Sequence, residues 1–160
     1  MYINKLFNLR GKVAVVTGAG GHLCGEMAKT FARVGFKFVI LDIRLSKAKK
    51  IESEINNEGY NNTIALKLDV SKKRQFDKVL KYIIETFGTV DILINGAGTN
   101  GATPFLKIEE KEWNDIMDSQ IKGTFFGCQV FGEYMLTKGK GSIINISSAS
   151  AGPPLSKAFT

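Results

Sequence analysis

Cysteine is scarce in this 160-residue chain. The two present, Cys24 and Cys128, lie far apart, each inside a helical pattern, so they define neither a disulfide framework nor a metal site. They read as reduced, structural thiols. Long apolar runs are absent too: no stretch approaches the roughly 20 residues that a membrane span requires. Met1 to Arg10 lacks the apolar centre of a signal peptide. The expectation is a cytoplasmic protein with no membrane partner. Repeats, low-complexity tracts and domain linkers are also missing, so residues 1–160 read as a single domain.

Positive charge is in excess, with 22 Lys and Arg against 15 Asp and Glu and a net charge of +7. Its distribution argues against nucleic acid as a partner. Arg44, Lys47, Lys49 and Lys50 sit with Glu52 and Glu54, and Lys72-Lys73-Arg74 opens a helix that also carries Asp77 and Glu85. No aromatic residues interleave with these charges, so they read as solvated helix faces. Glu109, Glu110 and Glu112 open another helix, where acids favour the dipole. No metal site is expected.

Hydrophobic content of 44% and charged content of 23% are ordinary for a globular protein. At this length roughly two-thirds of the unfolded surface can be buried, enough for one real core. Lys12-Val13-Ala14-Val15-Val16 reads as a buried parallel strand, Thr17-Gly18-Ala19-Gly20-Gly21 as a turn, and Leu23 to Val34 as an amphipathic helix. Such a turn aims main-chain N–H groups and a helix N-terminus at one point, which suits a pyrophosphate. Asp42 closes the second strand, Phe38-Val39-Ile40-Leu41, near the spacing at which a carboxylate grips an adenosine ribose. A strand-end carboxylate capping a turn is the plainer alternative for Asp42.

Strands and helices then alternate, the pattern of a parallel sheet covered on both faces. A helix is expected from about Ser46 to Asn57, ending at Gly59, followed by the strand Thr63-Ile64-Ala65-Leu66-Lys67-Leu68. Ser71 can cap a helix reaching Phe87, stopped by Gly88, and Asp91-Ile92-Leu93-Ile94-Asn95 is the fourth strand. A long helix is expected from Glu109 to Leu136, where Trp113, Ile116, Met117, Ile121, Thr124, Cys128, Phe131 and Met135 recur near a 3.6 period. Gly123, Gly127 and Gly132 within it suit either a subunit interface or tight internal packing. Gly141 to Ser148 is the fifth strand. The fold expected is α/β: a Rossmann-like, doubly wound parallel sheet, truncated after that strand.

Four segments together resemble the short-chain dehydrogenase/reductase family: Thr17-Gly18 with its turn, Leu68-Asp69-Val70, Asn95-Gly96-Ala97-Gly98, and Asn145-Ile146-Ser147-Ser148. The resemblance covers nearly the whole chain and implies an NAD(P)-dependent oxidoreductase acting on an alcohol/carbonyl pair, assembled as a homo-oligomer. It implies that Gly18, Gly21, His22 and Leu23 border the pyrophosphate and that Asp42 binds the ribose. Asp69 and Val70 would flank adenine, with Asn95, Ala97 and Gly98 beneath the cofactor. Asp42 favours NAD over NADP, because a carboxylate repels a 2′-phosphate. Neither Ile43 nor Gly21 supplies the positive charge that NADP-preferring members place near these positions, and Arg44, two residues on from Asp42, is compatible with either cofactor.

Ser148 matches the family serine that hydrogen-bonds the substrate oxygen. Gln120 stands where the family commonly has an asparagine in a proton relay; a helix-surface glutamine is the alternative. The family's proton-donating tyrosine and its lysine would fall just beyond Thr160. The chain is therefore expected to be the cofactor-binding N-terminal part of such an enzyme, or else a non-catalytic dinucleotide-binding module or a truncated fragment without function. His22 and Cys24 replace two glycines of the family's first turn, where a Cβ is expected to crowd the pyrophosphate or lift the helix. The stretch His22 to Lys29 and the segment Pro154-Leu155-Ser156-Lys157 are similar to sugar-acid and polyol members, notably mannonate oxidoreductase. A hydrolase built on His22 and Ser148 is disfavoured, since no G-x-S-x-G elbow surrounds Ser148. With the fifth strand as an uncovered edge, the isolated chain is expected to self-associate or fold poorly.

Overall fold

Every residue of β1 (Val13–Thr17) is buried, as a strand must be when helices cover both faces of its sheet. The structure, a computed structural model, describes residues 9–148. The N-terminal segment from Met1 and the Pro154–Lys157 loop, read above from the sequence, lie wholly or mainly outside the described residues. β1 is joined by β2 (Lys37–Asp42), β3 (Thr63–Lys67), β4 (Ile92–Asn95) and β5 (Ser142–Asn145). All pairs are parallel, in the order β3-β2-β1-β4-β5. Val15 lies opposite Val39 on one side and Leu93 on the other.

The period of two along the strands sorts their side chains into two cores. Ala14, Val16, Phe38 and Ile40 face α1 (His22–Val34) and α2 (Leu45–Asn57) through Ala28, Ala32, Ala48 and Ile55. Val13, Val15, Val39 and Leu41 face the other side, where Phe76, Val79 and Ile83 of α3 (Lys73–Phe87) meet Val130, Phe131 and Met135 of a later helix. That architecture is the Rossmann-like doubly wound sheet expected from the alternation of elements.

The long helix expected over 109–136 is in fact three pieces: α4 (Glu110–Met117), a π-helical segment (Asp118–Lys122) and α5 (Gly123–Thr137). A π turn lengthens the hydrogen-bond step and rotates the following face, so one 3.6 period cannot run through it. Ile116, Phe131 and Met135 are accordingly buried, while Trp113, Met117 and Ile121 from the same expected stripe are exposed. Gly123 packs against Val70, where a Cβ would come within 2.7 Å of Cγ2, and Gly127 packs against the Asn95 amide. Internal packing thus accounts for these two glycines.

Two further expectations change. Ser71 does not cap α3: the cap position is Lys72, and the Ser71 hydroxyl instead donates to the Asp69 carboxylate at 2.7 Å. The carboxylate two residues back takes the hydroxyl proton, a local side-chain contact that ties Ser71 to the turn before the helix. β5 stops at Asn145 rather than continuing to Ser148, and among the described residues it pairs with β4 alone. Ile143 packs on the core, whereas Ile144 and Ile146 are 45% and 37% exposed.

Phe131 is fully buried and meets Phe76 edge to face at 6.4 Å. Phe131→Ala is expected to cost about 3–5 kcal/mol, read as a lower urea midpoint. On the same helix Leu136 is 83% exposed, and Leu136→Ala should stay within about 0.5 kcal/mol.

Candidate functional site

Sheet order reverses at β1: β2 leads to one side and β4 to the other. A crevice opens at such a point, beyond the carboxyl ends of the strands. Here it is a cleft of about 810 Å³. Its walls come from the β1–α1 turn, the end of β2, the segment after β3, the segment after β4, and α4 with the π turn that follows it.

The β1–α1 turn is shaped by Gly18, whose φ of +71° favours glycine. A Cβ there would also sit 2.7 Å from Ala97 Cα, so the turn after β1 and the segment after β4 touch through their backbones. Thr17 fixes the same junction. Its Oγ1 accepts from the N–H groups of Gly96 and Ala97, each at 3.1 Å. The first α-helical hydrogen bond of α1 runs from Gly25 N–H to Gly21 O at 2.9 Å. The N–H groups of His22, Leu23 and Cys24 therefore precede the ladder and point out of the helix end beside the cleft.

Asp42 is buried at 6% exposure, and its carboxylate faces the cleft. Gly20 N–H donates to Oδ2 at 3.1 Å and Arg44 N–H donates to Oδ1 at 2.8 Å, with the Arg44 guanidinium 3.9 Å away. The turn-capping role is thus real. Each oxygen has further lone-pair capacity, so the group remains an acceptor toward the cleft. Across the cleft, Asp69 Oδ1 accepts from both the N–H and the hydroxyl of Ser71.

Of the residues singled out in the sequence, Gly18, Gly21, His22, Leu23, Asp42, Asp69, Val70, Ala97 and Gly98 line this one cleft. Asn95 does not. It is 4% exposed, and its Nδ2 donates to Asn145 Oδ1 at 2.9 Å and to Cys128 Sγ at 3.5 Å, beneath the cleft floor. Gln120 stands behind the wall, donating from Nε2 to Thr99 O at 2.7 Å and to Asn100 Oδ1 at 3.1 Å, with Gly98 packed on its stem. Ser148 is exposed beyond β5 and is not on the cleft wall.

The cysteines differ from one another. Cys24 is buried against Gly96 O, with Sγ at 3.9 Å, and burial pushes its thiol up from the usual range. It is accommodated because residue 96 has no Cβ to collide with the sulfur. α1 is consequently not lifted from the sheet, and Gly25 keeps its close approach to Ile51 and Ala19. From the sequence Thr17 and Gly20 read only as part of the turn, and their own bonds to the segment after β4 and to Asp42 are not foreseen, although a buried hydroxyl at a strand end is a recognisable junction signal. Arg44 and Lys72, read as solvated, stand on the cleft wall. Among the described residues no group of three or more His, Cys, Asp or Glu is placed to hold a metal, and no helix is long and apolar enough to cross a membrane.

A parallel sheet with a glycine turn and an acid at its switch point defines the class of doubly wound nucleotide-binding α/β proteins. The profile of the short chain dehydrogenases matches residues 12–158, and the chain belongs to that family. A diacetyl reductase forming (S)-acetoin from Staphylococcus epidermidis is 36% identical over 138 residues, covering 86% of this chain and 53% of that protein. An NAD-dependent glycerol dehydrogenase from Listeria innocua is 34% identical over 148 residues, covering 92% and 57%. The chain spans about half the length of these curated relatives. Among solved structures, a short chain dehydrogenase/reductase from Burkholderia phymatum in complex with NAD superposes with a TM-score of 0.86 at 28% identity, covering 92% of this chain and 53% of the other. A metagenomic short-chain oxidoreductase in complex with NADP gives 0.86 at 25% identity, covering 95% and 69%.

Gly18→Ala is expected to strain the left-handed turn and push Ala97 away, lowering stability by about 1–3 kcal/mol in urea unfolding. Gly139 also has a positive φ, of 65°, but no neighbour within 4 Å of a built Cβ. Gly139→Ala should cost less than Gly18→Ala, by the amount of the steric contact.

Proposed function

We propose that the cleft binds a nicotinamide adenine dinucleotide, NAD ahead of NADP, and that the chain is the cofactor-holding part of an oxidoreductase for small hydroxyl/carbonyl compounds. The observation that carries this reading is the convergence on one cleft of unpaired helix-end N–H groups and a fixed carboxylate, donors for a pyrophosphate and an acceptor for ribose hydroxyls. Gly18 and Gly21 let the turn pack closely on Ala97 and on itself, which shapes the backbone that would meet the pyrophosphate. Asp69 and Val70 stand where adenine would lie, and Ala97 and Gly98 form the facing wall. The bound nicotinamide would accept or donate the hydride. Ser148 would hydrogen-bond the substrate oxygen, and Gln120 would hold the wall after β4 in place. The relatives' small diketone and polyol compounds support a substrate of that class, a sugar acid or polyol included.

NAD is preferred because a 2′-phosphate would meet the buried Asp42 carboxylate. The Arg44 guanidinium offsets part of that repulsion, so the preference is moderate. A second reading, a dinucleotide-binding module without turnover, is favoured by one observation: Ser148 does not stand on the cleft wall.

Fluorescence titration should give tighter binding of NADH than of NADPH. Asp42→Ala should weaken NADH by about tenfold, the worth of a hydrogen bond to a charged group, and narrow the gap between the two. Equal, weak binding of both by the wild-type chain would contradict the proposal. Hydride transfer to or from diacetyl and glycerol, with and without Ser148→Ala, separates the enzyme from the module.

A further inference from the structure

Three residues open α1, and the structure turns them in different directions. Cys24 points inward onto Gly96, whereas His22 and Leu23 are exposed on the cleft wall. His22 is the chain's sole histidine. It follows Gly21, and its own N–H belongs to the group that precedes the helical ladder. A pyrophosphate drawn to those N–H groups would therefore bind next to the residue that carries the imidazole, on the same cleft wall. Imidazole changes charge between about pH 5 and 8. We propose that His22 is a second, proton-dependent ligand of the dinucleotide's pyrophosphate, so that the chain holds its cofactor more tightly as the imidazole takes up a proton.

This inference rests on the dinucleotide reading above and adds a regulation of that site by pH. The surrounding charges leave the role open to His22. On α1 itself, Glu26 one turn on is held by Lys29 at 2.8 Å. That hydrogen bond, then the lysine's charge, lowers its carboxyl, with a smaller share from His22. From β2, Asp42 is engaged by the Gly20 and Arg44 N–H groups. From the segment after β3, Asp69 is engaged by Ser71. From α4 and the π turn, Asp115 pairs with Lys111 and Asp118 with Lys122 at 3.0 Å. Arg44 and Lys72 are the other cations on the wall.

The test is a titration of the 160-residue chain with NADH at a series of pH values between about 5.5 and 8, in parallel with His22→Gln and His22→Lys. The wild-type dissociation constant is expected to fall by about fivefold from the alkaline to the acid end, as for a partly exposed charge-assisted hydrogen bond. His22→Gln should bind at the weak, alkaline level throughout. His22→Lys should bind near the tight, acid level throughout. Both variants retain every other titrating group, so the difference between profiles reads His22, and either variant suffices if the other does not fold. A flat wild-type profile with measurable binding, or equal slopes in all three proteins, would overturn the role of His22 and leave the dinucleotide reading standing. No NADH binding by wild type at any pH would overturn both.

Discussion

Two main-chain N–H groups hold the Asp42 carboxylate at the end of β2, and the shape of the cleft follows from how they reach it. Gly20 donates one of them across from the β1–α1 turn. It can come that close because it has no Cβ, which would fall 2.7 Å from Oδ2. Burying an ionised carboxylate is costly unless such partners replace water. Once they do, the acid cannot swing away, and the turn cannot drift from β2. The Thr17 hydroxyl does the same service on the other side, binding the first two N–H groups after β4 to the end of β1. The switch point of the sheet is thereby braced from both flanks before any ligand arrives, which is the preorganisation a binding site needs.

Most of this was legible in the chain itself. The strands could be read because apolar runs of four to six residues ended in glycine or an acid, and the helices between them because Ala28, Ala32, Phe76, Val79 and Ile83 recur at helical spacing. The nine cleft residues were named through the family resemblance, and they lie at or just after strand ends, where an open parallel sheet binds its ligands. What failed to show were individual side-chain contacts and one local change of helix geometry. Asn95 ends a strand like Asp42 does, yet its amide is claimed by Asn145, fifty residues on. The π turn at Asp118–Lys122 has no residue signature, so the stripe through Trp113 and Ile121 looked continuous when the helix had changed face. Ser71 looked like a cap because its residue type suits one, and the sequence does not show that the helix starts one residue later, with Lys72 at the cap and the Ser71 hydroxyl donating to Asp69.

His22 and Cys24 illustrate how one turn absorbs unusual residues by different means. The thiol is accommodated by a vacancy elsewhere: Gly96, on β4's extension, leaves the volume that the sulfur fills. The imidazole is accommodated by exposure, standing at the helix end on the cleft side. A side chain that would obstruct a ligand if it lay over the helix axis can serve as a ligand contact when it lies beside it. The basic residues follow a similar logic. Lys29, Lys49 and Lys50 pair with Glu54 and Glu52 on the helix faces, whereas Arg44 and Lys72 stand on the cleft wall beside Asp42, Asp69, Asp115 and Asp118.

The central claim is that the braced switch point is a dinucleotide site. The most direct measurement is amide chemical-shift mapping of the isotope-labelled chain with NAD added. The account predicts shifts concentrated at the main-chain N–H groups of Gly20 to Cys24, Arg44, Asp69 to Ser71 and Ala97 to Thr99, with the remainder of the sheet unmoved. Shifts confined to α3, α5 or the β5 edge, or none at saturating NAD, would contradict it.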